Sequence, residues 1–241
     1  MALDINFLLL LVELILLVPT LLLLVLGRRE ERGRQYLLKQ ITNTARMVSR
    51  QEYFNNVQFG MQNASLTIRG AVTGSIPKNP ESDEIIKNIV NQIKNARKRG
   101  VTVQYLVLKS HDRLPIASRY YIAGAEVGFH ASLLVSDIRY VVFDRKYVLI
   151  GLPNAVGANE PTREGFLIPS EGLSEIFLQQ FDSRWSESVK YDDYLREVLL
   201  GMKSHSPNVS EQLLASQLNI PETEVRRILP ESKPRSAIES K

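Results

Sequence analysis

Residues 5–26 read INFLLLLVELILLVPTLLLLVL, and no feature of the chain is more restrictive. As a helix these 22 residues span roughly 33 Å, the thickness of a bilayer's hydrocarbon core. The apolar side chains go all round, with no polar stripe to face water, so a membrane span is favoured over a buried core helix. A cleaved signal peptide fits poorly, because no basic residues precede the run and no small-x-small cleavage site follows it. Glu13 and Pro19 lie inside the span. A carboxyl at that depth is costly: Glu13 is protonated, is paired with a neighbouring helix, or has a specific role. Pro19 kinks the helix or is absorbed by neighbouring packing.

Charge orients the span. No Lys or Arg precedes it, whereas Arg28, Arg29, Arg32 and Arg34 follow it directly. Cationic flanks stay cytoplasmic, so the N-terminus is expected outside and everything from Gly27 onward in the cytoplasm. The basic excess is confined to residues 28–109, with 15 basic and 6 acidic groups. Residues 28–52 are read as a basic helical stalk able to touch lipid headgroups. The chain has no cysteine, which excludes disulfides, thiol catalysis and thiolate metal sites. His111, His130 and His205 match no zinc spacing, and no cofactor is expected.

Residues 53–192 alternate between strand and helix patterns. Ser65–Val72 is a β-rich run, followed by a helix over Glu81–Arg99 with apolar residues at 85, 86, 89, 90, 93 and 96. Acidic residues fill its first turn, basic ones its last, and Gly100 stands at the C′ position. Val101–Leu108 is a buried-type strand, and Pro115–Ala123 a short helix. Glu126–His130, Ser136–Asp144, Tyr147–Gly151 and Gly165–Pro169 are further strands, with a tight turn at 144–146. A helix over Glu171–Tyr191 closes the unit. This order predicts an α/β sandwich.

The succession of His130-Ala-Ser-Leu-Leu-Val-Ser-Asp137, then Tyr147-Val-Leu-Ile-Gly-Leu-Pro-Asn154, then Phe181-Asp-Ser-Arg-Trp185 resembles one half of the phospholipase D superfamily. That family carries His-x-Lys-(x)4-Asp and, downstream, Gly-Ser-x-Asn. His130 and Asp137 match the first motif, but Ser132 occupies the lysine position. Gly151 and Asn154 match the second, but Leu152 replaces its serine. The resemblance implies His130 as the nucleophile on phosphorus and Asp137 as its motif partner. It also implies that Ser132 and Asn154 face the phosphate; Arg139, which shares strand parity with Asp137, is able to approach the same region. Ser132 cannot supply a lysine's charge, a loss worth about 10²–10³ in rate. A site in this family needs two halves, so one half-motif implies a homodimer.

Residues 193–230 form a helical module, and 231–241 a polar tail expected to be disordered. Leu214, Ala215, Leu218, Ile220, Val225 and Leu229 space like the core of a helix-turn-helix, with Ser210 capping the first helix and Pro221 opening the second. Arg226 and Arg227 are the DNA-contact candidates, but residues 205–241 carry equal numbers of acidic and basic groups. Nucleic acid is therefore a weaker reading than a protein partner. Three functions stand: a non-catalytic dimeric scaffold or anionic-ligand-binding component at the membrane, a phosphodiesterase acting on phospholipid or nucleic acid, and a membrane-tethered DNA-binding regulator. The first is preferred because of Ser132.

Overall fold

The computed structural model describes residues 45–77, 79–133, 138–153 and 162–229. The apolar span, Glu13, Pro19, Arg28, Arg29, Asp137, Asn154 and the polar tail lie outside them. Among the described residues no helix is long and apolar enough to cross a membrane.

The folded body begins at Arg46 and is a mixed α/β structure around one eight-stranded sheet. Strand β1 (Arg46–Ser49) leads into helix α1 (Arg50–Asn63). Then follow β2 (Thr67–Val72), α2 (Pro80–Lys98) and β3 (Thr102–Leu108). Next come α3 (Leu114–Ile122), β4 (Glu126–His130), β5 (Arg139–Phe143), β6 (Tyr147–Pro153) and β7 (Thr162–Ile168). Helix α4 (Glu171–Ser186), β8 (Val189–Lys190), α5 (Tyr191–His205), α6 (Glu211–Leu218) and α7 (Glu222–Ile228) complete it. Across the sheet the order is β1-β7-β6-β5-β2-β3-β4-β8. Strands β2, β3 and β4 run parallel, whereas β5, β6 and β7 form an antiparallel meander.

Helix α2 forms where its apolar spacing predicts. Asn79 caps it through a bond from the Ser82 N–H, Pro80 takes the first turn, and Ile89, Ile93 and Ala96 are buried. Each buried isoleucine contributes about 1.5–3 kcal/mol. Gly100 terminates it at φ +85°, a left-handed conformation that favours glycine. The predicted turn after β5 is present, with Asp144 at φ 49° and Arg145 at φ 60°, as tight hairpins require.

Alternation along the strands gives the sheet two distinct faces. Val103, Tyr105, Val107, Val141 and Phe143 join the core under α1, α2 and α3. Arg69 and Tyr140 point the other way, onto α4, where Arg69 pairs with Asp182 at 2.9 Å and the Tyr140 ring meets that of Phe177 at a tilt of 51°.

Two boundaries differ from the sequence reading. The stalk over 28–52 is not one helix in its described part, because Arg46–Ser49 is a strand on β7 and only Arg50–Glu52 are helical. A new helix starts at Ser49, whose side chain and Glu52 satisfy each other's backbone donors in a capping box. The closing helix stops at Ser186 rather than running to Tyr191, since Val189 and Lys190 pair with β4. The third departure concerns the helices after residue 193. Leu214, Ala215, Leu218, Val225 and Ile228 belong to the same hydrophobic cluster as the sheet residues, so α5, α6 and α7 share the core of the body.

Candidate functional site around His130

His130 ends β4 and is only 7% exposed. Strand parity aims it, like Gly128, toward the end of α4, where Gly128 packs on Trp185 and Ser188. Both ring nitrogens are engaged. The Ser132 backbone N–H donates to Nδ1 at 3.0 Å, and Nε2 lies 3.2 Å from Glu187 Oε2. A backbone N–H can only donate, so Nδ1 is the acceptor. In the neutral ring Nε2 then carries the proton and donates a hydrogen bond to Glu187. A nucleophilic imidazole needs a bare nitrogen aimed at its substrate. Here the bare nitrogen is covered by the chain's own backbone.

Ser132 is exposed just beyond the strand. Its side chain lines a small cavity of about 70 Å³ together with Tyr140, Phe177, Gln180 and Arg184. Arg184, from α4, lines the same cavity as Ser132, a placement the sequence reading did not make. The signal was present in the Phe181–Trp185 run, but only the packing of α4 on the sheet brings it to Ser132. Burial, reinforced by Asp182 and opposed by Arg184, pushes the Tyr140 phenol well above its usual value. That side chain is therefore a neutral hydrogen-bond group at physiological pH.

The structure does not bring Arg139 to this site. Arg139 shares its face with Val141 and Phe143, so it lies across the sheet from His130, where its Nη1 donates to Thr162 Oγ1 at 3.0 Å. The register through β3 and β2 decides this: Gly70 pairs with Tyr105 and with Val141, whereas His130 pairs with Leu108, on the other face. Leu152 is half-buried on β6, paired with Glu164, and Gly151 packs beneath Tyr53.

Arg226 and Arg227 are consumed within the fold. Arg226 pairs with Glu222 at 2.6 Å and with Glu211 at 3.4 Å. Arg227 pairs with Asp192 at 2.6 Å and Glu224 at 2.9 Å, and lies over the Tyr121 ring. These bonds hold α7 onto α5 and α3. They compete with the free cationic surface that phosphate neutralisation demands.

No family model matches the chain, and no curated protein matches it. Solved structures similar to it include Nuc from Salmonella typhimurium, described as a phospholipase D family member. That similarity has 18% identity and a TM-score of 0.47, over 61% of this chain and 97% of that one. NucT from Helicobacter pylori is similar at 15% identity and a TM-score of 0.46, over 61% of this chain and 98% of that one. TrmBL2, described as an archaeal chromatin protein, is similar at 16% identity and a TM-score of 0.45, over 68% of this chain and 63% of that one. At such identities and TM-scores these likenesses assign no activity.

Proposed function

We propose that the chain is a membrane-anchored, cytoplasmic, phospholipase D-like protein that acts as a non-catalytic dimeric scaffold and holds an anionic group rather than cleaving it. The observation that carries this reading is the double engagement of His130: Nδ1 is covered by the Ser132 N–H, and Nε2 faces Glu187. Ser132 in the lysine position supports it further. The Ser132 cavity retains Arg184 and Gln180, which suits binding of an oxyanion more than turnover.

The test compares the purified full chain with His130→Ala on a generic phosphodiester and on anionic phospholipid. Equal, background rates are expected. Robust turnover by the parent that vanishes in the variant would sink the scaffold reading and make His130 a nucleophile after all.

Anchoring and pairing are tested together, because a chain without cysteine accepts a single reporter thiol. In intact cells, Ser132→Cys is expected to resist a membrane-impermeant maleimide and to react after lysis. Mild oxidation of the membranes is expected to give a cross-linked dimer. Labelling of intact cells contradicts the topology, and the absence of any cross-link contradicts the facing of two copies at this site.

A further inference from the structure

On the sheet face opposite His130, a cavity of about 250 Å³ lies between helices α1, α2 and α3 and strands β2, β3 and β5. Most of its wall is apolar, with Phe54 and Val57 from α1 and Ile85, Ile86 and Ile89 from α2. Three phenols complete it: Tyr53 from α1, Tyr105 from β3 and Tyr120 from α3. They are 4%, 2% and 4% exposed. The Tyr105 and Tyr120 rings meet with their centroids 5.1 Å apart. Glycines seat two of the rings. A side chain at Gly70 would come within 3.2 Å of the Tyr105 ring, and one at Gly151 within 3.0 Å of the Tyr53 hydroxyl.

None of the three hydroxyls has a hydrogen-bond partner among the described residues. Nor are their oxygens sealed in protein, so each opens onto the cavity that it lines. A buried hydroxyl without a partner costs about 1–3 kcal/mol, and native proteins seldom leave one so without a ligand or water to meet it. Elsewhere in the wall the polar groups are bonded to one another. Arg139 Nη1 donates to Thr162 Oγ1 at 3.0 Å, while Arg50 donates to the Thr162 carbonyl at 3.4 Å and to Ser82 Oγ at 3.1 Å. The phenols are therefore the buried hydrogen-bonding groups left for a ligand.

Their chemistry selects its class. Burial pushes the Tyr53 phenol up to about 12 and raises those of Tyr105 and Tyr120 as well, so all three offer O–H groups without charge. A carbonyl oxygen has two lone pairs and accepts from two such donors. A carboxylate would have to bring a full charge out of water into a mainly apolar wall. The volume lies just below the roughly 300–1,000 Å³ of ordinary small-molecule sites, which limits the ligand to a small one.

The geometry points to a binding site for a small neutral carbonyl compound, its oxygen accepting from the tyrosine hydroxyls and its apolar body against Phe54, Ile86 and Ile89. The site lies across the sheet from His130 and is independent of whether that histidine is catalytic.

The test uses the full chain in phosphatidylcholine nanodiscs, with empty nanodiscs as the blank. Equilibrium dialysis in sealed cells measures three probes of one shape: acetophenone, ethylbenzene, which lacks the oxygen, and benzoate, which adds a charge. Acetophenone is expected to bind saturably, at one per chain, with ethylbenzene and benzoate each at least about tenfold weaker. The double variant Tyr105→Phe/Tyr120→Phe keeps both rings and loses both hydroxyls. It is expected to bind acetophenone at least about tenfold more weakly than the parent and ethylbenzene unchanged. Without ligand it is expected to unfold in urea at the parent's midpoint or above, because the deleted hydroxyls have no partner in the protein. Failure of acetophenone to saturate leaves water as what the hydroxyls meet and overturns the inference. So does equal binding of ethylbenzene or benzoate, or a double variant that binds acetophenone as the parent does. A double variant that is less stable than the parent shows that the hydroxyls bond within the protein, and overturns it too.

Discussion

Replacing Asp144 with alanine is expected to destabilise the protein by about 2–4 kcal/mol. The Asp144 carboxylate, at the β5–β6 turn, accepts from the N–H groups of Ser65, Leu66 and Thr67 at 2.8 Å each, and from the Ser65 hydroxyl at 3.0 Å. It thereby closes the entry to β2 across 77–79 residues of chain. Removal leaves three backbone donors to find water, and alanine lacks the short polar side chain that helps aspartate tolerate φ 49°. Asp144→Asn keeps the turn and one acceptor, so it is expected to lose less. Urea denaturation of the three proteins is the measurement; equal midpoints for parent and Asp144→Ala contradict this account.

The same contact sets a pH dependence. Burial pushes the Asp144 carboxyl upward, but the backbone donors of Ser65, Thr67 and Leu66 and the Ser65 hydroxyl outweigh it and hold it below the usual value. A depressed folded pKa means that the unfolded chain binds the proton first. The stabilisation is therefore complete above the unfolded value of about 3.9 and fades as pH falls through the folded one. Asp144→Asn is expected to show a shallower loss of stability below about pH 4 than the parent.

Leu199→Ala is expected to cost about 2–5 kcal/mol, because Leu199 is wholly buried in the cluster that joins the sheet to Leu214 and Val225. One cooperative transition is expected to survive. The sole tryptophan, Trp185, reports on the sheet side, and far-ultraviolet circular dichroism reports on all the helices. If α6 and α7 share the core, both signals shift together in the variant. An early dichroism phase that leaves Trp185 fluorescence untouched shows instead a separate C-terminal module.

What was legible in the sequence was local. The apolar period of α2, the β-rich runs of β2 and β3, Gly100 and the 144–146 turn all carry their signal within a few residues. Strand β1 and the start of helix α1 are not legible because the apolar residues around them are few, with only Met47 and Val48 in β1, although Ser49-x-x-Glu52 is a readable start signal. Strand β8 was illegible for another reason: Val189 and Lys190 form a strand only because β4 offers an open edge there. The site divides in the same way. The motif residues around His130 are what the family resemblance implies, and Asp137 and Asn154 lie outside the described residues. The meeting of Arg184 and Ser132 around one cavity depends on the packing of α4, and the face of Arg139 on the register carried through β2 and β3, whereas the cover on His130 Nδ1 is local and comes from the backbone two residues on.

That strand order ends in two stubs. The outermost strands are β1, with four residues, and β8, with two. Among the described residues, a neighbouring chain seeking to prolong the hydrogen-bonded ladder finds only four and two residues of template at the margins, a known safeguard against runaway aggregation. Growth by strand addition is thus self-limiting, and two copies that associate are expected to do so across loops and side chains. The cross-link at position 132 is then the signature of a discrete pair rather than the first step of a fibre.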